Sequence, residues 1–98
     1  MNKFQVSLTE HAANDLKDIS KEIRNQVLQD LKALEISPFP SGTHIKRLKS
    51  FRPPLCRLRS GDFRILFYIQ GDMVTMLRVI DRKLLERVLK RLKILPRR

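Results

Sequence analysis

Two Gly-Asp pairs, Gly61-Asp62 and Gly71-Asp72, frame the segment that most restricts how this chain can fold. Between them Phe63, Ile65, Phe67 and Ile69 alternate with Arg64, Leu66, Tyr68 and Gln70. A period of two marks a strand, and the first row is too apolar to meet water. Short glycine-containing turns join antiparallel neighbours. Residues 55–59, 63–69 and 73–80 are therefore predicted as three consecutive strands of a meander.

The rest of the chain is read around that meander. Phe4, Val6 and Leu8 alternate with polar residues as an opening strand. Thr9 can cap a helix that carries Ala12, Ala13, Leu16 and Ile19 on one face. Ser20 can cap a second, in which Ile23, Val27, Leu31 and Leu34 recur at helical spacing. That helix is predicted to stop before Ser37-Pro38, since proline biases its predecessor away from helix. Residues 37–44 are a loop by composition, and Pro53-Pro54 makes 45–54 an irregular approach to the sheet. From 82 to 95 a third amphipathic helix sets Leu84, Leu85, Val88, Leu89 and Leu92 against Lys83, Arg87, Lys90 and Arg91. The expectation is one α+β domain spanning 1–98. Its parts are an N-terminal strand, a helical hairpin packed on an antiparallel three- to four-stranded sheet, and a C-terminal helix.

Charge is distributed unevenly. The net formal charge is +11, yet residues 1–42 hold 5 Lys/Arg and 6 Asp/Glu, whereas 43–98 hold 16 and 4. A field confined to one half points to a polyanion partner rather than to solubility alone. The single cysteine, Cys56, excludes an internal disulfide and a multi-cysteine zinc site. No metal-ligand spacing, phosphate loop or nucleophile triad is present in the sequence, so neither a metal nor a small-molecule cofactor is expected. The opening residues lack a secretory pattern and no apolar run approaches membrane-spanning length. A cytoplasmic protein with no membrane partner is expected.

Strand parity sorts the cations. Cys56 and Leu58, then Leu77 and Val79, share the apolar side with the Phe63 row. The other side receives Arg57, Arg59, Arg64, Arg78 and Arg82. Neighbouring strands lie about 4.8 Å apart, so the guanidiniums crowd, and like charges in a row are a poor way to stabilise a sheet. An anion would complete them, because guanidinium offers a planar donor fork that fits phosphate oxygens. RNA cleavage by a neighbouring 2′-hydroxyl also needs a base. Arginine does not serve, whereas lysine among cations can, which singles out Lys46 and Lys49. His44, at the end of the loop, is a weaker candidate, and His11 reads as a surface residue of the first helix.

The run Arg57-Leu58-Arg59-Ser60-Gly61-Asp62-Phe63-Arg64-Ile65-Leu66-Phe67-Tyr68, followed by Val79-Ile80-Asp81-Arg82, resembles the central signature of the RelE/ParE toxin superfamily. Ile45-Lys46-Arg47-Leu48-Lys49 is similar to that family's approach strand. The resemblance implies a toxin of a type II toxin–antitoxin system. In the RelE-like branch, which the basic face favours, it implies a ribosome-dependent mRNA endonuclease (an mRNA interferase) that inhibits translation. In that reading Arg64, Arg82, Lys49 and Arg59 are catalytic, and Lys46, Arg57, Arg78, Lys83 and Arg87 bind RNA. The partners implied are the ribosome, mRNA and an acidic, helical antitoxin. A ParE-like inhibitor of DNA gyrase and a non-toxic RNA-binding relative are the alternatives. One departure stands out: RelE-type nucleases often carry a C-terminal tyrosine, whereas the corresponding region here has Glu86 and Val88.

Overall fold

The structure is a computed structural model that describes residues 4–42, 44–48, 51 and 54–94, with the side chains of 93 and 94 left aside. Strand β1 (Gln5–Leu8) leads into helices α1 (Glu10–Lys17) and α2 (Lys21–Ile36). Strands β2 (Ile45–Leu48), β3 (Leu55–Ser60), β4 (Phe63–Gln70) and β5 (Met73–Asp81) follow. A 3-10 turn (Arg82–Leu84) then runs into α3 (Leu85–Ile94). The two expected caps act as capping residues do: the Ala12 N–H donates to Thr9 Oγ1 at 3.1 Å and the Ile23 N–H to Ser20 Oγ at 3.3 Å.

The described strands form one five-stranded sheet in the order β1-β5-β4-β3-β2. The antiparallel part has the expected four strands, Ile45–Leu48 pairing fully with β3 before the prolines intervene, and β1 adds a fifth. The pairs β2–β3, β3–β4 and β4–β5 are antiparallel, as the short turns require. β1 instead lies parallel to β5, which the intervening helical hairpin makes possible. Gly61 (φ 58°) and Gly71 (φ 60°) supply the left-handed backbone of the two hairpin turns.

One sheet face packs under the helical hairpin. Ala12, Leu16, Val27, Leu31 and Leu34 meet Ile45, Cys56, Leu58, Ile65, Phe67, Val74, Met76 and Val79 there. The other face carries a smaller buried cluster, Leu55, Leu66 and Ile80, beneath Leu85, Val88, Leu89 and Leu92 of α3.

The expected alternation fails at one place. Leu66 pairs with Arg78 but Phe67 pairs with Met76, so Leu77 is an extra residue in β5. This bulge shifts the phase of the strand. Strict alternation assigns Leu77 to the hairpin face; instead Val74 and Met76 take that role and Leu77 joins the α3 cluster.

Candidate functional site

Register brings four of the expected cations onto the α3 side of the sheet. Lys46 lies directly across from Arg57, Arg57 across from Leu66, and Arg59 across from Arg64. Such pairs hold their Cβ atoms about 4.5–5.5 Å apart. Lys46 and Arg59 are exposed, Arg57 is half-buried, and Arg64 is 9% exposed. Lys49, the expected catalytic lysine, lies outside the described residues.

Arg64 is the most constrained member. Its Nη1 donates to the carbonyl of Gly61 at 3.0 Å and to that of Phe63 at 2.9 Å. Burial lowers the Arg64 pKa, with Arg59 and Arg82 pushing the same way and Asp62 and Asp81 opposing. The Arg57 pKa is also lowered, by burial first and then by Arg64 and Arg59. These directions record a field of like charges in which each guanidinium makes its neighbours costlier to hold. Arginine keeps its charge regardless, since its guanidinium does not lose a proton at any physiological pH. The arrangement therefore stores repulsion that an oxyanion would relieve.

Arg82 stands at the end of β5, where its N–H donates to the Asp62 carbonyl at 2.9 Å. Its Nε is 3.9 Å from Asp62 Oδ1, with both side chains open to solvent. A pair this long and exposed holds little energy, so Arg82 remains available to an anion.

Arg78 departs from the expected row. Its Nε and Nη2 donate to the Asp15 carboxylate at 2.8 and 3.2 Å. Asp15 also accepts the Val79 N–H at 2.9 Å. The physical reason is the short β1. Once β1 ends at Leu8, the edge of β5 needs other partners. Thr9 N and Oγ1 reach the carbonyls of Met76 and Leu77, and Asp15 takes the next amide along with the Arg78 guanidinium. Arg78 is thus a structural tie between β5 and α1, and its charge is quenched.

Lys83 and Arg87 lie off the sheet row as well. Lys83 is exposed in the 3-10 turn, where its N–H caps onto Asp81 Oδ1. Arg87 lines a groove of about 590 Å³ between α1 and α3, with His11, Arg78, Leu84, Val88, Arg91 and Leu92. Sequence reading missed this groove, although His11 at helical spacing from Asp15 was visible. His44 is exposed, and only its carbonyl touches the site, accepting from Arg59 N at 2.9 Å. Cys56 is buried on the hairpin side, and burial pushes its thiol pKa up against the opposing effect of Arg47. It acts as a small apolar core residue.

Among the described residues no group of three or more His, Cys, Asp or Glu could hold a metal ion. No helix among them is long and apolar enough to cross a membrane. The four sheet cations and Arg82 can grip phosphate and stabilise charge developing on it.

Residues 6–93 match the model of the ParE toxin of the type II toxin-antitoxin system parDE. No curated protein sequence matches the chain. Among solved structures, the toxin–antitoxin complex RelBE2 from Mycobacterium tuberculosis is similar at 25% identity and TM-score 0.71, covering 82% of this chain and 99% of that one. The archaeal RelE–RelB complex from Pyrococcus horikoshii OT3 is similar in fold at 20% identity and TM-score 0.71, covering 82% and 96%. The chromosomal ParDE system of P. aeruginosa is similar in fold at 18% identity and TM-score 0.56, covering 81% and 96%.

Proposed function

This chain belongs to the ParE toxin family of type II toxin–antitoxin systems, and we propose that it is a toxin that grips mRNA on the ribosome and cleaves it. The observation that carries this reading is the cross-strand pair of Arg59 and Arg64, with Lys46 and Arg57 beside it on the same sheet face. In this reading Arg64 and Arg59 hold the scissile phosphate and stabilise its developing charge, and Arg82 approaches from the end of β5. A lysine, Lys46 or Lys49, takes the proton of the 2′-hydroxyl. The 2′-oxygen forms its bond to phosphorus, the bond to the 5′-oxygen breaks, and a proton returns to that oxygen. Arg57 supports RNA binding, and Lys83 and Arg87 extend the basic surface along α3.

The antitoxin partner proposed is acidic and helical. Leu84, Val88 and Leu92 recur every four residues along the α1–α3 groove, flanked by Arg87 and Arg91, so an amphipathic acidic helix would match both its apolar floor and its rim.

Primer extension on cellular transcripts tests the reading. Inducing the chain without its antitoxin should produce discrete cuts inside coding regions, and Arg64→Ala should abolish both cuts and growth arrest. Intact transcripts with a DNA-damage response would instead support the second reading, a gyrase-directed toxin. The matching family model, a ParE toxin, favours that second reading, whereas the lack of a tyrosine at Glu86 or Val88 favours a non-toxic RNA-binding relative.

A further inference from the structure

The two-residue turn Gly61-Asp62 does more than reverse the chain. Each hydrogen-bond donor of Arg64 can be followed individually. A guanidinium has five N–H groups: two on Nη1, two on Nη2 and one on Nε. Both carbonyls that meet Arg64, those of Gly61 and Phe63, are taken by Nη1. Among the described residues nothing accepts from Nε or Nη2. The turn therefore occupies one end of the guanidinium and leaves the Nε–Nη2 edge, the side that forms two parallel bonds to an oxyanion. The same turn holds the second arginine, since the Asp62 carbonyl accepts the Arg82 N–H at 2.9 Å. Aiming the Gly61 carbonyl this way needs the left-handed backbone seen there, φ 58°.

We propose that the Gly61-Asp62 turn is a positioning element that fixes which edge of Arg64 meets the RNA phosphate and anchors the start of Arg82 beside it. This rests on the reading above, in which Arg64 grips phosphate. Gly61 is then a positioning residue: it touches no substrate and acts through Arg64.

A Cβ added at Gly61 would meet nothing within 4 Å, so any effect of substitution there comes from the backbone angle and not from a clash. Gly61→Ala opposes the positive φ, whereas Gly61→Asn tolerates it. The test is binding of the purified chain to a short single-stranded RNA oligonucleotide, in a cycle of Gly61→Ala, Arg64→Ala and the double variant. Arg64→Ala should weaken binding about tenfold, the loss of one charge-assisted bidentate contact. Gly61→Ala should weaken it about threefold, Gly61→Asn should restore it, and the double variant should bind like Arg64→Ala alone. Additive losses with Gly61 and Arg64 independent would overturn the positioning role while leaving the functional reading intact. An Arg64→Ala chain that binds RNA normally would remove the functional reading, and this proposal with it.

A second measurement avoids substitution. In the intact chain with labelled arginine, inorganic phosphate should move the Arg64 Nε resonance. Rotation about the Cζ–Nη1 bond should be slow before phosphate is added. Free rotation there, or an Nε resonance unmoved by phosphate while other arginines respond, overturns the proposal.

Discussion

The two faces of the sheet are built on opposite principles. Under the hairpin, strand residues Ile65, Phe67, Val74 and Met76 are fully buried and pack against Ala12, Val27 and Leu34. The centre of this face excludes water and is wholly apolar. On the other face the buried apolar cluster is only Leu55, Leu66 and Ile80, with Arg64 buried beside it, and Leu85, Val88, Leu89 and Leu92 of α3 over it are only partly buried. Beside that small cluster, Arg59 and Arg64 face each other across a strand pair. One face produces stability from apolar burial; the other gives some of it up to hold like charges together. The contrast shows where substitutions should cost folding and where they should cost function.

The largest effect tests the dry face. Phe67→Ala should lower unfolding free energy by about 3–5 kcal/mol, because a closely packed surround cannot collapse into the space left by the ring. Leu66→Ala, one residue along and equally buried, should cost nearer about 2 kcal/mol, since α3 can settle onto the smaller side chain. Urea midpoints for the two variants measure the difference. Equal losses would mean that α3 is as firmly seated as the hairpin.

A middle-sized effect comes from the seam between the faces. Asp15 accepts three hydrogen bonds from β5 residues, two from Arg78 and one from Val79. Asp15→Ala should cost about 1–3 kcal/mol by leaving a buried amide and a half-buried guanidinium without acceptors. It should also release Arg78 into the basic field. RNA affinity should then rise at low salt, with a salt dependence steeper by about one unit of logarithmic slope. A loss of stability with no change in salt slope would place Arg78 outside the RNA surface whether or not Asp15 is present.

Asp15 also shows what sequence reading can and cannot reach. Thr9 and Ser20 announced their helices because capping acts within three residues of the same chain. The apolar row of β4 announced its face because alternation is local too. The bond from Asp15 to Arg78 joins residues 63 apart, and it depends on how far β1 extends along β5. Parity alone therefore placed Arg78 with Arg57, Arg59, Arg64 and Arg82. The bulge at Leu77 defeated parity in the same strand, because one inserted residue changes the face of all that precede it. The pairing of β1 with β5 is parallel and long-range, and no turn residue encodes it. The fixing of Arg64 was illegible for a different reason: its partners are backbone carbonyls, which no residue identity declares.

The smallest effect is the most diagnostic for the functional face, because its sign is opposite to that of the others. Arg59 sits directly across from Arg64, and like charges in that relation destabilise a sheet by roughly 0.2–1 kcal/mol. Arg59→Ala should therefore raise stability by a few tenths of a kcal/mol at low salt while weakening RNA binding. The gain should fade toward 1 M salt, where the screening length falls to about 3 Å. Urea unfolding at low and high ionic strength, alongside RNA titration, follows both quantities in one variant. A stability gain with a binding loss is what a site kept under electrostatic repulsion for an anionic partner requires. If Arg59→Ala instead destabilised the fold at every salt concentration, its guanidinium would be packing the sheet, and the two faces would share one purpose.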